Sequence, residues 1–283
     1  MIIINKLPAE AKRFQTYLPS LRDPLPPGAI GIEAEVDGLF AGTALVIAHP
    51  RSGTGSISVL HTQELFRHLG VGSLLLEEAE RQILESGCRI SRVTLTLRQG
   101  KPAPELEFLH KRGYESEKLL YRTYTLRSAS LREEAGKKRL SLPVSAELRP
   151  LLDATEAERA ELSAISANLQ SDLNPLQEER LLHPEFSMLM KIDGRIAGWI
   201  GIQQLASNLL LLRSMYVCPE YRIHASGIAL FLEIARRHRL FERFAYQMLS
   251  VSSENPAMLR LADRKFAPHA SSIKTNMRLE KRL

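Results

Sequence analysis

The sequence predicts an α/β fold, of the α+β kind with a mixed sheet, present in two tandem copies. Three observations predict it. Strand-like and helix-like segments alternate, yet hairpins come before the helices, which a doubly wound parallel sheet does not show. A glycine-rich turn, Arg67-His68-Leu69-Gly70-Val71-Gly72-Ser73, joins a strand to a helix. The same succession then returns: Val36-Asp37-Gly38-Leu39-Phe40-Ala41-Gly42 matches Ile192-Asp193-Gly194-Arg195-Ile196-Ala197-Gly198 at an offset of 156, and Arg67-His68-Leu69-Gly70-Val71-Gly72 matches Arg222-Ile223-His224-Ala225-Ser226-Gly227 at 155. A period this long is a duplicated domain and not a solenoid.

The elements follow in order. Residues 2–7 read as a first strand and 8–18 as one amphipathic helix, after which Leu25-Pro26-Pro27-Gly28 breaks the chain. Ile30-Gly31-Ile32-Glu33-Ala34-Glu35-Val36 alternates apolar and polar residues as a strand does. Asp37-Gly38 is a hairpin signal, and 39–48 is the return strand. A third hairpin strand, 55–62, leads to the glycine turn. The helix after it, 74–86, carries Leu75, Ala79 and Ile83 on one stripe. Residues 92–97 are a strand, 103–111 a short helix ending at Gly113, and 114–126 two closing strands. The polar stretch 127–141 reads as a linker. The second copy then gives a strand within 142–152, a helix over 154–170, a short helix after Asn174-Pro175, the repeated hairpin and turn, a helix at 228–239, a strand at 244–251, a helix opened by Asn255-Pro256, and a tail strand at 272–279. The domains are therefore read as 1–130 and 142–283, joined by a linker at 131–141.

Composition narrows the function classes. The chain has 283 residues, 44% hydrophobic and 25% charged, enough for a sizeable core. Apolar runs such as 209–212 are far too short to span a bilayer. Met1-Ile2-Ile3-Ile4-Asn5-Lys6 lacks the basic region and long apolar segment of a signal peptide. Two distant cysteines, Cys88 and Cys218, have no metal-like spacing and suit a reduced, cytoplasmic setting. Net charge is +6, which favours anionic ligands. Aromatic residues are 6% of the chain and are not interleaved with the basic runs, so a nucleic-acid stacking platform is unsupported. Lys137-Lys138-Arg139 reads as solvated linker, and Arg236-Arg237-His238-Arg239 as cations at the negative end of a helix.

The turn at 67–73 has the makings of a pyrophosphate cradle. Two glycines opening a helix let backbone N–H groups approach an anion, the helix dipole favours it, and Arg67 can pair with it. A dinucleotide fingerprint would need a third glycine where Leu75 stands, and the Gly-Lys-Ser/Thr of a Walker loop is absent.

With the element order of each half, the turn Arg67-x-x-Gly70-x-Gly72 resembles the signature of the GNAT superfamily of N-acetyltransferases. Tyr216-Val217-Cys218-Pro219-Glu220-Tyr221-Arg222 is similar to that family's approach to the turn, and Asn255-Pro256-Ala257-Met258-Leu259-Arg260-Leu261 to its fourth-helix start. The resemblance covers most of both halves and is thinnest over 8–28. It implies acetyl-CoA or another acyl-CoA as co-substrate, no metal, and direct attack by the amine of a small molecule or protein. It places the pyrophosphate on Arg67, His68, Leu69, Gly70, Val71, Gly72 and Ser73. It lays the acyl arm beside Leu60, His61 and Thr62, where a backbone N–H polarises the thioester carbonyl, and it opens a gap between the fourth and fifth strands for that arm. A monomer or a homodimer fits, with neither nucleic acid nor membrane as partner.

The halves differ. Ala225 stands at the second half's first glycine position, so the first half is expected to hold the donor and the second to be degenerate. The family's tyrosine acid falls on Leu109 and, in a shortened register, on Ala262, so neither half keeps it. His110 is one position off, about 100° round the helix, and reads as an exposed helix residue. Tyr114, Tyr121 and Tyr124 read as core or strand residues, Cys218 as buried and apolar, and His61 as packing. Glu33, Glu35, Glu64 and Glu220 are carboxylates on exposed surfaces, open to a role as base beside a water chain. Besides an N-acyltransferase, a non-catalytic acyl-CoA-binding or interaction module fits the missing acid. Acyl transfer to a hydroxyl, or aminoacyl transfer on a related duplicated fold, is a third reading.

Overall fold

The alternating apolar pattern of residues 2–62 builds four antiparallel strands: β1 (Ile2–Leu7), β2 (Ala29–Val36), β3 (Leu39–His49) and β4 (Thr54–Thr62). The computed structural model describes residues 1–8, 10–19, 21, 23–137, 140–222 and 226–283. At the β2–β3 turn, Asp37 and Gly38 take φ of 50° and 79°, the pair of positive values that matches the twist of a two-residue hairpin.

The chain forms two compact units. The first comprises Met1–Leu97, Lys101–Leu119 and Asn276–Leu283, and the second Arg98–Gly100 and Leu120–Thr275. The units thus differ from the contiguous stretches 1–130 and 142–283. Residues 120–127 belong to the second unit, and the end of the chain belongs to the first.

In the first unit, α1 (Ala11–Gln15) precedes β2. After β4 come α2 (Val71–Glu85), β5 (Ile90–Arg98) and α3 (Pro104–His110). β4 and β5 are parallel, and the C-terminal residues 276–282 lie beside β5. Thr96 Oγ1 donates to Asn276 Oδ1 at 2.7 Å, and Arg92 Nε to Glu280 Oε1 at 2.9 Å. The α2 stripe of Leu75, Ala79 and Ile83 is fully buried on one face with Ile32, Val46 and Ile57. Phe14 of α1 packs with Leu45 and Val59 in a separate cluster that also holds Tyr17 and Leu18.

In the second unit, residues 120–127 of β6 (Ser116–Arg127) pair with a later strand. The elements that follow are α4 (Ser128–Gly136), β7 (Ala146–Pro150), α5 (Glu156–Ser166), β8 (Met188–Ile192), β9 (Arg195–Ala206), β10 (Leu209–Val217), α6 (Gly227–Arg237), α7 (Leu240–Arg243), β11 (Tyr246–Ser252), α8 (Pro256–Lys265) and β12 (Ala270–Arg282). The strand order within the unit is β7-β8-β9-β10-β11-β6. Only β10–β11 is parallel among these pairs. Thr155 opens α5 with a reciprocal cap: its hydroxyl accepts from Glu158 N, and Glu158 Oε2 accepts from Thr155 N.

Several sequence expectations change. Among the described residues of 8–18, only Ala11–Gln15 are α-helical, and Pro19 follows soon after. The stretch 114–126 is one strand, β6, instead of two. Linker residues 128–136 form α4, because Ser-Ala-Ser-Leu-Arg-Glu-Glu-Ala has helix-forming content that the charge obscured. The helix expected after Asn174-Pro175 is replaced by 3-10 turns at Ser171–Leu173 and Glu179–Leu181. Lys138 and Arg139 of the basic run lie outside the described residues.

Candidate functional site

A splayed strand pair is the first feature of the site. β4 and β5 pair in register only from Thr54↔Ile90 to Ile57↔Val93. A register shift on the β3 side then falls between Leu45 and Val46, which oppose Val59 and Ile57 and leave Ser58 as the extra residue. A bulge bends the strand that carries it, and beyond it β4 continues along β3 to Thr62 without a β5 partner. Leu60, His61 and Thr62 therefore occupy the open edge, each half-buried. The gap expected between the fourth and fifth strands is present.

At its mouth, Gly70 takes φ 88° and ψ −9° and starts α2 with no side-chain cap. That left-handed conformation costs a Cβ-bearing residue energy. Ser73 N donates to Gly70 O at 3.0 Å, while the N–H groups of Val71 and Gly72 have no acceptor among the described residues. These are the orphan donors that make a helix start attractive to anions. Arg67, His68, Leu69 and Gly70 are solvent-exposed, and Val71 is buried in the core. Arg67 Nε donates to Thr62 O at 3.4 Å, tying the turn to the open end of β4.

Two residues that the sequence reading did not single out join this cluster. A Cβ at Gly72 would stand 3.1 Å from Thr62 Oγ1 and 3.7 Å from the Phe108 ring, so α3 closes against the start of α2. Arg112 lies 3.7 Å over the Phe108 ring and donates to Phe108 O and to Ser73 Oγ. Its guanidinium has no carboxylate within 4.0 Å among the described residues. A cation beside a helix N-terminus is unfavourable unless an anion joins it. Lys111-Arg112 ahead of Gly113 was the available signal, but only the fold shows which helix end it meets.

The proton-transfer candidates separate clearly. His61 lies against Tyr17 with the rings tilted and their centroids 4.6 Å apart, and burial, aided by the Arg67 charge, lowers its pKa. Glu33, Thr43 and His61 stand in one cross-strand row. Two strand spacings put Glu33 about 10 Å from His61, and Glu33 is 3.6 Å from Arg13 instead. Leu109, at the usual acid position, is buried. His110 Nε2 is 2.8 Å from Glu117 Oε1 at the surface. Tyr114 is fully buried with its hydroxyl 2.7 Å from Ser91 Oγ, and burial pushes its pKa far up. Tyr124 donates to Asp263 Oδ1 at 2.5 Å and is pushed up to about 12, chiefly by burial. Tyr121 is exposed on its strand, and Glu64 and Glu220 are exposed beside their turns.

The second unit repeats this geometry closely. β10 and β11 pair in parallel from Leu209↔Tyr246 to Leu212↔Leu249, and a register shift between Leu212 and Ser214 precedes the splay. Arg222 Nε donates to Val217 O at 3.0 Å, as Arg67 does to Thr62. Here, however, Ser226 caps its own helix, its hydroxyl accepting from Ala229 N at 3.1 Å. Ala225, on which the expectation of a degenerate second turn rests, lies with Ile223 and His224 outside the described residues. Cys218 is buried, and burial raises its thiol to about 11. Ala262 is buried. Among the described residues no group of three or more His, Cys, Asp or Glu is placed to hold a metal ion. No described helix is long and apolar enough to cross a membrane.

Splayed parallel strands after a bulge, with an uncapped glycine turn at the mouth, define a GNAT-type fold. Residues 4–114 match the model of the Acetyltransferase (GNAT) family. A GCN5-related N-acetyltransferase from Sphaerobacter thermophilus superposes with a TM-score of 0.57 at 19% identity, covering 100% of this chain and 96% of that one. A tandem GNAT protein from the clavulanic acid biosynthesis pathway gives a TM-score of 0.59 at 15% identity, covering 90% of this chain and 84% of that one. No curated protein matches by sequence. Residues 4–114 thus carry the match to the GNAT family, and the chain as a whole has the fold of tandem GNAT structures, with two GNAT-like domains. Enzymes of this family use acyl-CoA as co-substrate and acylate amines.

Proposed function

We propose that the chain is an acyl-CoA-dependent N-acyltransferase, with acetyl-CoA or another acyl-CoA held in the first unit and an amine of a small molecule or protein as acceptor. The sequence stretches 1–130 and 142–283, joined through 131–141, are two copies of one ancestral domain in this reading. The observation that carries it is the pairing, in one unit, of the β4–β5 gap with an uncapped α2 start.

The donor supplies an activated acyl group and a thiolate leaving group. The residues present fit it. The free N–H groups of Val71 and Gly72, with Ser73, Gly70 and the Arg67, His68 and Leu69 turn, receive the pyrophosphate, and Arg112 adds charge at the same helix end. The open edge at Leu60, His61 and Thr62 receives the amide-bearing arm, and a backbone N–H there polarises the carbonyl. Holding donor and amine together supplies the positional part of the rate enhancement. His61, kept neutral near pH 7 by its lowered pKa, is the side chain on this edge able to take the amine proton. With apolar Leu109 and Ala262 at the usual acid positions, the thiolate takes its proton from water.

Those same apolar residues favour the alternative, a module that binds acyl-CoA without catalysis. Two experiments separate the readings. A thermal shift with acetyl-CoA in the wild type, lost in Gly70→Trp, is expected if the first unit binds the donor; absence of a shift with any acyl-CoA sinks that claim. Free thiol release in a panel of amines then distinguishes enzyme from binder.

A further inference from the structure

Aromatic and basic side chains meet in the second unit where the turn 183–187 leads into β8. Phe186 is fully buried, in one cluster with Met188, Ile200 and Ile234. His183 stacks on its ring, the centroids 3.7 Å apart and the planes 5° from parallel. His238, which closes α6, meets the same ring edge to face at 5.5 Å, and Phe244 does so at 5.7 Å. The Arg243 guanidinium lies 4.9 Å from that ring's centre and donates to His238 O at 3.4 Å. The backbone ties the turn to β9: His183 N donates to Ile202 O at 2.7 Å, and Ser187 N to His183 O at 3.0 Å.

We propose that this turn is an acid-released latch: on acidification from about pH 7.5 to about pH 5, residues 183–187 and the α6–α7 corner let go of each other while the sheet beneath stays folded. Two features of the geometry carry it. The first is a hydrogen bond that a charged imidazole cannot make. His183 Nδ1 accepts from Glu185 N at 3.2 Å. A neutral imidazole offers one such acceptor and an imidazolium offers none, so protonation of His183 sets two donors against each other. The second is a corner that holds energy. Arg239, between α6 and α7, takes φ 52° and ψ 43°, a left-handed conformation unfavourable for a residue with a Cβ. The contacts of His238 and Arg243 with Phe186 hold both sides of that corner in place.

Protonation also gathers like charges. Arg243 is cationic throughout, and Arg237 near His238 is paired with Glu233 at 2.7 Å. The carboxylate facing this group is Glu185, 3.7 Å from Arg243 and exposed. Glu242 of α7 is directed to Arg132 instead, at 3.7 Å. A proton on His183 and another on His238 would therefore set three cations round one phenyl ring, against one solvent-screened carboxylate. The ring face gives an imidazolium some cation–π return, but Arg243 already shares it. Burial, opposed by Glu185 and aided by Arg243, holds both histidines below the ordinary 6.5. With folded values below unfolded ones, the latch is intact above about pH 6.5 and is lost as pH falls through the folded values.

This inference does not depend on donor binding in the first unit. Its test is amide hydrogen exchange of the full chain at about pH 7.5 and about pH 5, corrected for intrinsic exchange, with ring-proton NMR of the two histidines assigned by substitution. Protection over 183–187 and 238–244 should fall by about tenfold at the lower pH, the change that a lost hydrogen bond gives, while β10 and β11 keep theirs. Both histidines should titrate below 6.5. The double variant His183→Asn/His238→Gln should lose the pH dependence. Arg243→Gln, which removes the fixed charge, should make it shallower and carries the test if the double variant does not fold. Unchanged protection over 183–187, the same fall in the double variant, or an equal fall across β10 and β11 would overturn the proposal.

Discussion

Gly42→Ala probes how closely β3 and β4 approach where β4 becomes the open edge. A Cβ at Gly42 would lie 2.5 Å from His61 O and 2.9 Å from Leu75 Cδ1. The leucine can rotate, but the carbonyl belongs to the strand. An ordinary carbon–oxygen contact is about 3.3 Å, so the end of β4 must move by about 0.8 Å. Over-packing against backbone sits at the upper part of the usual range, about 3 kcal/mol. For a unit of roughly 120 residues that lowers Tm by about 12 °C. The displacement falls on His61 and Thr62, so acetyl-CoA affinity should fall with stability. Calorimetry of the variant checks the first figure and titration with acetyl-CoA the second. An unchanged Tm would refute the close approach. Gly198 occupies the same relation to Tyr216 O, at 2.4 Å for the added Cβ, and Gly198→Ala should behave alike in the second unit.

Other perturbations separate strain, charge and packing. Gly70→Ala meets no atom within 4 Å but must hold φ at 88°, so denaturant melts should show a loss of about 1–2 kcal/mol. Glu158 is lowered to about 2 from an ordinary 4.5, first by the Thr155 N–H and then by Lys191, with Arg149 adding to the effect. Because its folded pKa lies below its unfolded one, its stabilisation is complete above about pH 4.5 and is lost as pH falls towards 2. Glu158→Gln should therefore flatten the stability–pH curve in that window, followed by fluorescence of Trp199, the only tryptophan. Leu76→Ala removes a side chain that is 1% exposed in the first core and should cost about 2–5 kcal/mol in denaturant melts.

Local patterns in the sequence account for much of this architecture. Asp37-Gly38 and Asp193-Gly194 are hairpin turns because two adjacent residues with positive φ are a local requirement that few dipeptides meet. The stripe of Leu75, Ala79 and Ile83 reads as a buried helix face because helical periodicity is also local. Arg67 and Arg222 share a contact five residues back along the chain, which the repeat anticipated. Non-local pairings were not legible. Nothing in residues 272–279 says that the end of β12 completes the first unit, or that 120–127 completes the second, since strand pairing depends on edges far away in sequence. Arg112 was hidden for the same reason: its meeting with Ser73 spans 39 residues. The splay between β10 and β11 follows from the register shift near Arg213, which the spacing of apolar residues does not reveal. The element order and the uncapped glycine turn at the start of α2 were readable, and the proton-transfer chemistry was not, because the usual tyrosine has no replacement at its own position.

Amide hydrogen exchange with and without acetyl-CoA tests the central claim most directly. The account predicts slowed exchange at Val71, Gly72 and Ser73 and along the open edge from Leu60 to Thr62, with no change at Ser226, Gly227 and the β10 edge. Unchanged exchange at Val71, Gly72 and Ser73 under saturating acetyl-CoA, or protection confined to the start of α6, would contradict it.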